Sequence, residues 1–413
     1  MNILGIAHYD IKDIFIRTNS LSEPEIIPNF FDQNFLNELM VKNAINKAID
    51  EKAFVNFRIW LNGNEESSNA ALLLKKIEAE DNLESWGDKV FHGKKYCILI
   101  SRLEQFADDI CASLSLFLSP ILEDIGNSFS GNTITVLLGN YGFTPAGIHR
   151  DPGENSIFHF NLGPNEKEIL IWDRKDFLES TGSEEAYKYP EKIRHISRNF
   201  CLKPNDLFIL PPNEYHIGFT PKFAVDVVAV ISNDSNKKIT ELVYNSLIED
   251  NLARCINDYE IDRIKCVEPD DYQSSIQHVA INKLLKNNTF ESVLKKQLQD
   301  LYFSKRSNAW WSFPPTLSEI ETSNLLAKKI QLNYPFPILI YANENQLKIF
   351  MRGRELITKL DPTVVDLVEK INTNIVLPVE ALVQEFSEKG LKSEFVVEFI
   401  QAAIQYKSIR IIA

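Results

Sequence analysis

The apolar positions of this chain change their period along its length. Up to about residue 130, helical and extended patterns alternate. Leu103, Phe106, Ala107, Ile110 and Leu114 recur at helical spacing and predict one helix with a single buried stripe. Ser101-Arg102-Leu103-Glu104 ahead of them reads as a capping box, with Ser101 as N-cap and Glu104 at N3. From about 132 to 232 the pattern becomes short strands: Thr133–Leu138, Ser156–Leu162, Glu168–Trp172, His195–Leu202, Leu207–Leu210 and Ala224–Ser232. Turn formers separate them, among them Gly139-Asn140, Asp151-Pro152-Gly153, Gly163-Pro164-Asn165 and Pro204-Asn205-Asp206. Such punctuation predicts a β-sandwich or barrel. The stretch 173–194 is charged, lacks strand character, and reads as a loop inserted over one end of that barrel.

From about 236 to 303 the period is helical again, with Ile239, Leu242, Val243 and Leu247 on one face and Thr289 as a cap before Val293, Leu294, Leu298 and Leu301. Trp310-Trp311 ahead of Pro314-Pro315 reads as packing between domains rather than as a binding platform. A last module follows. Gln346–Phe350 and Glu355–Leu360 predict a hairpin around Arg352-Gly353. Asp361-Pro362 starts one helix, and further helices start near Pro378 and Ser393 before a closing strand at Ile409–Ile412. Three short helices flanked by strands resemble a winged helix.

Composition narrows the class. The chain has 413 residues, 44% hydrophobic and 24% charged, a globular mixture sized for two or three domains. No uncharged apolar run reaches membrane-spanning length. The N-terminal MNILGIAHYDIKD has neither a basic region nor a long apolar run, so no signal peptide is expected. Five scattered cysteines without a CxxC fit a reducing cytoplasm. The net charge of −13 disfavours nucleic acid and anionic membranes as partners and suits a basic peptide or protein surface.

Of the seven histidines, two sit in informative places. His149-Arg150-Asp151 follows a strand and a Gly/Pro loop. His216 follows the apolar strand introduced by Pro204-Asn205-Asp206. Residues i and i+2 of an extended segment point to one side, so His149 and Asp151 can share a ligand that a histidine from a distant strand completes. Two imidazoles and one carboxylate on one face of a metal leave open positions, the donor set of non-haem Fe(II) oxygenases. A 2-oxo acid bound beside such a metal needs a cation for its distal carboxylate. Lys167, at the start of a strand, is the candidate, with His159 as the alternative. If Phe158, Phe160 and Leu162 pack on helices, then His159 and Asn161 look into the barrel. Asn155, Tyr141 and Thr144 are further candidate pocket residues. No Walker A motif, nucleophile elbow or zinc-like cysteine pair is present.

Gly147-Ile148-His149-Arg150-Asp151, Gly163–Trp172 and Pro204-Asn205-Asp206-Leu207-Phe208-Ile209-Leu210-Pro211 with His216 resemble the core of the JmjC/cupin-type Fe(II)- and 2-oxoglutarate-dependent oxygenases. The layout is similar to the branch of ribosomal oxygenases and bacterial peptide hydroxylases. The resemblance implies an α+β fold: a double-stranded β-helix (jelly roll) with flanking helices, a helical segment and a C-terminal winged-helix-like domain. It implies an N-terminal α/β region at 1–130, the catalytic core at 131–235, a helical, dimerisation-type segment at 236–344 and the winged-helix-like domain at 345–413. It implies Fe(II) on the catalytic residues His149, Asp151 and His216, 2-oxoglutarate anchored by Lys167, and O2 as oxidant, with succinate and CO2 as co-products. The implied substrate is an amino-acid side chain of a peptide or protein, and the implied assembly a cytoplasmic homodimer. The chain departs from the family at Ala146, where a hydroxyl is missing, and at Glu214-Tyr215, in place of an aromatic pair. Three other readings stay open: a tailoring hydroxylase of a ribosomally made peptide or small molecule, a cupin-like binding protein without redox activity, and a DNA-binding regulator, which the glutamates of the last two helices disfavour.

Overall fold

The computed structural model describes residues 11–151, 153–247, 289–318, 324–343 and 346–412. His8, Cys255, Cys266, His278 and the middle of the expected helical segment lie outside these described residues.

Two antiparallel sheets face one another. Their strands in chain order are β1 (Glu25–Ile27), β2 (Phe57–Leu61), β3 (Asn64–Glu65), β4 (Tyr96–Ile100), β5 (Thr133–Gly139), β6 (Gly142–Phe143), β7 (Ser156–Pro164), β8 (Lys167–Trp172), β9 (Arg198–Leu202), β10 (Leu207–Leu210), β11 (Tyr215–Thr220) and β12 (Ala224–Ile231). The large sheet runs β1-β10-β7-β12-β5-β4-β2-β3 and the small one β6-β11-β8-β9. Ile157, Phe208, Leu210 and Val228 of the large sheet pack with Ile169, Ile171 and Leu202 of the small one. This is the jelly-roll architecture. The first 130 residues contribute strands to the same large sheet, which ties that region to the barrel.

The period-two pattern of β7 explains which way the sheet faces. Phe158 and Phe160 are fully buried on the outer side. Their rings lie 6.0 Å and 5.9 Å from that of Phe117, on helix Asp108–Ile125. Phe30, Phe31 and Phe35 complete this aromatic layer. Burying a phenylalanine contributes about 1.5–3 kcal/mol, so the layer fixes the sheet against its helices and turns Ile157 and His159 inward. Between β12 and β7 the register shifts, Val225 opposing Gly163 and Asp226 opposing Asn161, which leaves Leu162 as the extra residue of a bulge.

Three expectations are corrected. The capping box does not form. The helix starts at Asp108, and Glu104 is instead buried, accepting the Ile134 N–H at 2.9 Å where β5 begins. Tertiary satisfaction of a backbone donor thus wins over local capping. The segment 173–194 holds helices Arg174–Thr181 and Pro190–Ile193, and Phe177 and Ile193 pack against Ile148, Leu170, Trp172, Tyr215 and Ile217. His195 belongs to a 3-10 turn, and β9 begins only at Arg198.

The helices Asn236–Leu247 and Phe290–Ser307 follow, the second capped by Thr289, whose side chain accepts the Ser292 N–H. Trp311 is buried, and its Nε1 donates to Ser115 Oγ at 2.8 Å, pinning this segment to helix Asp108–Ile125. The C-terminal core begins at Leu325, earlier than expected, because Lys329–Leu332 pairs with both Leu377–Pro378 and Ile409–Ile412. The expected hairpin forms as Gln346–Met351 and Arg354–Lys359, extended by Leu339–Asn343. Its turn residues Arg352 (φ 48°) and Gly353 (φ 81°) are both left-handed, as a two-residue hairpin turn requires. Asp361 caps helix Pro362–Asn372, and helices Val379–Glu388 and Ser393–Gln405 complete the module. Buried Arg352 and Lys407 reach back to Asp108 at 3.2 Å and 2.7 Å, joining the two cores.

Candidate active site

His149 and His216 meet through their backbones. The His149 N–H donates to the His216 carbonyl at 3.1 Å and the reverse bond is 2.9 Å, so the loop after β6 is laced to β11. His216 follows the strand Leu207–Leu210 as expected and is the second residue of β11, a strand that sequence reading missed because Tyr-His-Ile-Gly-Phe-Thr is short and polar-interrupted. The two rings lie 4.6 Å apart. The Nδ1–H of His149 donates to the Gly147 carbonyl at 2.8 Å, and that of His216 to the Glu214 carbonyl at 3.1 Å. Both bonds fix the tautomer and leave Nε2 as a free lone pair. Each Nε2 stands 3.7 Å from a different oxygen of Asp151. Donor atoms of His149, Asp151 and His216 all lie within 4.8 Å of one another, a set able to hold a metal ion. Burial and then the neighbouring His149 push the His216 pKa down to about 4, which keeps its ring neutral and available at physiological pH.

These residues open onto a cavity of about 330 Å³ between the sheets. Thr144, His159 and Lys167 line it with them, as do Leu137, Ile157, Ile169 and Val228. Lys167 is 2% exposed and ion-paired with Asp226, whose Oδ2 also accepts the Nδ1–H of His159 at 2.8 Å. His159 Nε2 and Asp226 Oδ1 are buried without a hydrogen-bond partner. Thr144 Oγ1 donates to the Gly218 carbonyl at 3.1 Å. A Cβ at Gly218 would sit 3.0 Å from Thr144 Oγ1 and 3.3 Å from Lys167 Cε, so glycine keeps the space beside the lysine open. Tyr141 is near Lys167 and Asp226, and burial raises its pKa to about 12, so its hydroxyl stays protonated.

Three of the expected pocket residues are not among those lining the cavity: Tyr141, which lies behind Lys167 and Asp226, Asn161 and Asn155. Asn161 is buried but spent on the chain itself: its amide donates to the Asn165 and Leu202 carbonyls, and its oxygen accepts the Gly163 N–H. Asn155 lies in a separate surface depression with Ser130, Glu154 and Asp234. Asp226, Gly218 and Arg58, which also lines the cavity, were not anticipated. Asp226 did carry a signal, as the single charge within the apolar strand Ala224–Ile231.

The jelly roll thus carries this donor set beside the cavity between its sheets. Among solved structures, the ribosomal oxygenase YcfD from Escherichia coli superposes over 100% of both chains, with a TM-score of 0.51 and 10% identity. A second structure of it covers 99% of this chain and 100% of its own, at TM-score 0.50 and 10% identity. A third, in complex with cobalt and succinic acid, covers 98% and 99%, at TM-score 0.50 and 9% identity. The described residues therefore share that fold. No family model matches the sequence, and no curated protein matches it.

Proposed function

We propose that this protein is an Fe(II)- and 2-oxoglutarate-dependent dioxygenase that hydroxylates a C–H bond of an amino-acid side chain in a peptide or protein. The observation that carries the reading is the His149/Asp151/His216 set at the mouth of the cavity lined by Lys167. The residues fit both groups. Two imidazoles with tautomers fixed by backbone carbonyls and one carboxylate match the ferrous facial triad. The space kept by Gly218 beside the Lys167 ammonium suits a carboxylate.

In this reading His149, Asp151 and His216 hold iron, and Lys167 takes the distal carboxylate of 2-oxoglutarate, with Thr144 and His159 flanking it. Bound there, the pair supplies an O2-dependent oxidation that releases succinate and CO2. The apolar walls exclude water, and the site holds one C–H bond in place. A similar fold in a ribosomal oxygenase supports a protein substrate. The domain division read from the sequence is kept as part of this proposal, with the C-terminal unit starting near 325, where its core begins; the three helices and sheet of that unit support the winged-helix-like reading. Homodimerisation through the 236–344 region and a cytoplasmic location complete the proposal. No described helix is long and apolar enough to cross a membrane.

The test is to incubate protein, Fe(II), 2-oxoglutarate and a tryptic or intact ribosomal-protein fraction in air. The reading expects a substrate peptide that gains one oxygen, with succinate formed in step. Neither product in the presence of iron-loaded protein counts against it.

A further inference from the structure

Lys167, Asp226 and His159 form a buried polar cluster, of which Lys167 and His159 line the cavity. Replacing a buried ion pair by apolar residues is often neutral or stabilising, so such a pair is weak support for a fold. This cluster is also incomplete, since His159 Nε2 and Asp226 Oδ1 lack partners. Its lysine ends beside Gly218, where a side chain would intrude: a Cβ there would sit 3.8 Å from Lys167 Nζ.

Resting on the reading above, we propose that Asp226 is a positioning residue for the co-substrate: its carboxylate holds Lys167 as a charged, aimed ammonium in the dry interior, so that the distal carboxylate of a 2-oxo diacid meets a ready cation. One Asp226 oxygen receives both Lys167 and His159, which fixes the lysine against the wall opposite Gly218. The ammonium has three donors, and its bond to Asp226 leaves donors for the incoming acid. Several groups face Lys167, and the Arg58 cation of β2 lines the same cavity. Asp226 comes from β12, Tyr141 from the turn after β5, Cys97 from β4, and His159 from β7 across Asp226. The metal-site residues His149, Asp151 and His216 line the same cavity. Burial pushes the Cys97 thiol up, and burial likewise raises Tyr141, so neither supplies an anion at neutral pH. Burial acts to lower the Lys167 pKa, and Asp226, first among the opposing groups, holds it above its ordinary value. Without that carboxylate a fully buried lysine falls by up to about 3–5 pH units, into the neutral range.

The experiment is calorimetric titration of 2-oxoglutarate, without oxygen, into the full Mn(II)-loaded chain between pH 7 and 9. The wild type is expected to bind with an affinity that changes less than about threefold. Asp226→Asn keeps the shape but removes the charge, and its affinity is expected to fall at least about tenfold across that range. Asp226→Asn combined with Lys167→Arg should be flat again, because a guanidinium does not deprotonate. A merely structural Asp226 would move none of these pH slopes. A pH-independent or tighter Asp226→Asn variant overturns the proposal. So does a wild type whose own affinity falls tenfold by pH 9, a result that needs no variant to fold. Failure of the Mn(II)-loaded wild type to bind 2-oxoglutarate at any of these pH values instead removes the co-substrate reading itself.

Discussion

Glu104 is the carboxylate whose removal should stabilise this protein. It is 1% exposed, with Oε2 on the Ile134 N–H and Oε1 without a partner. Burial raises its pKa from 4.5 to about 7, the Ile134 amide opposing only part of that. A folded-state value above the unfolded one means that protonation favours the folded chain. The benefit is full below about pH 4.5 and is lost as the pH rises through about 7. A shift from 4.5 to about 7 corresponds to about 3 kcal/mol between those limits. Glu104→Gln keeps an oxygen for Ile134 and cannot ionise. Its buried amide N–H adds a penalty of about 1–3 kcal/mol that does not depend on pH. The stability of the glutamine variant relative to wild type should therefore climb by about 3 kcal/mol from pH 4 to pH 8, most of it between pH 5 and 7. Thermal melting of both proteins across that range reads this as a relative shift of several degrees. A difference that stays constant with pH, or that favours wild type at pH 8, refutes the argument.

Other consequences follow from named contacts. Asp108→Ala leaves Arg352 buried and unpaired and removes the 2.7 Å partner of Lys407, so chemical denaturation should show a loss of about 3–5 kcal/mol. Phe160→Ala opens a hole among Phe30, Phe31, Phe35 and Phe117, and the same assay should show about 3–5 kcal/mol lost. Gly218→Ala places a methyl against Thr144 and Lys167, so metal binding should persist while 2-oxoglutarate binding weakens at least about tenfold in equilibrium titration, about 1.4 kcal/mol.

The strands of the barrel were legible because their apolar runs are punctuated by turn residues, and the Phe158/Phe160 alternation on β7 identified the inward face. The C-terminal hairpin and helix starts were legible for the same reason: Arg352-Gly353 and Asp361-Pro362 signal locally what they form. Glu104 misled because a capping box and a buried carboxylate serving a distant N–H share one local sequence. Asn161 shares the inward face of β7 with His159, but its amide is drawn to the Leu202 carbonyl by a chain reversal that alternation does not encode. Asp226 pairs in space with residues 59 and 67 positions away, a relation set by sheet order alone. The meeting of His149, Asp151 and His216 was expected from chemistry, and their 4.8 Å grouping depends on the bridge between the His149 loop and β11.

The central claim is that His149, Asp151 and His216 hold a ferrous ion that chelates 2-oxoglutarate beside Lys167. Anaerobic titration of Fe(II) and then 2-oxoglutarate, followed by visible absorption in wild type and His149→Ala, tests it most directly. The account predicts a weak charge-transfer band from the chelated 2-oxo acid in wild type and none in the variant. Folded, iron-loaded wild-type protein that gives no band, or an equal band in both proteins, would contradict it.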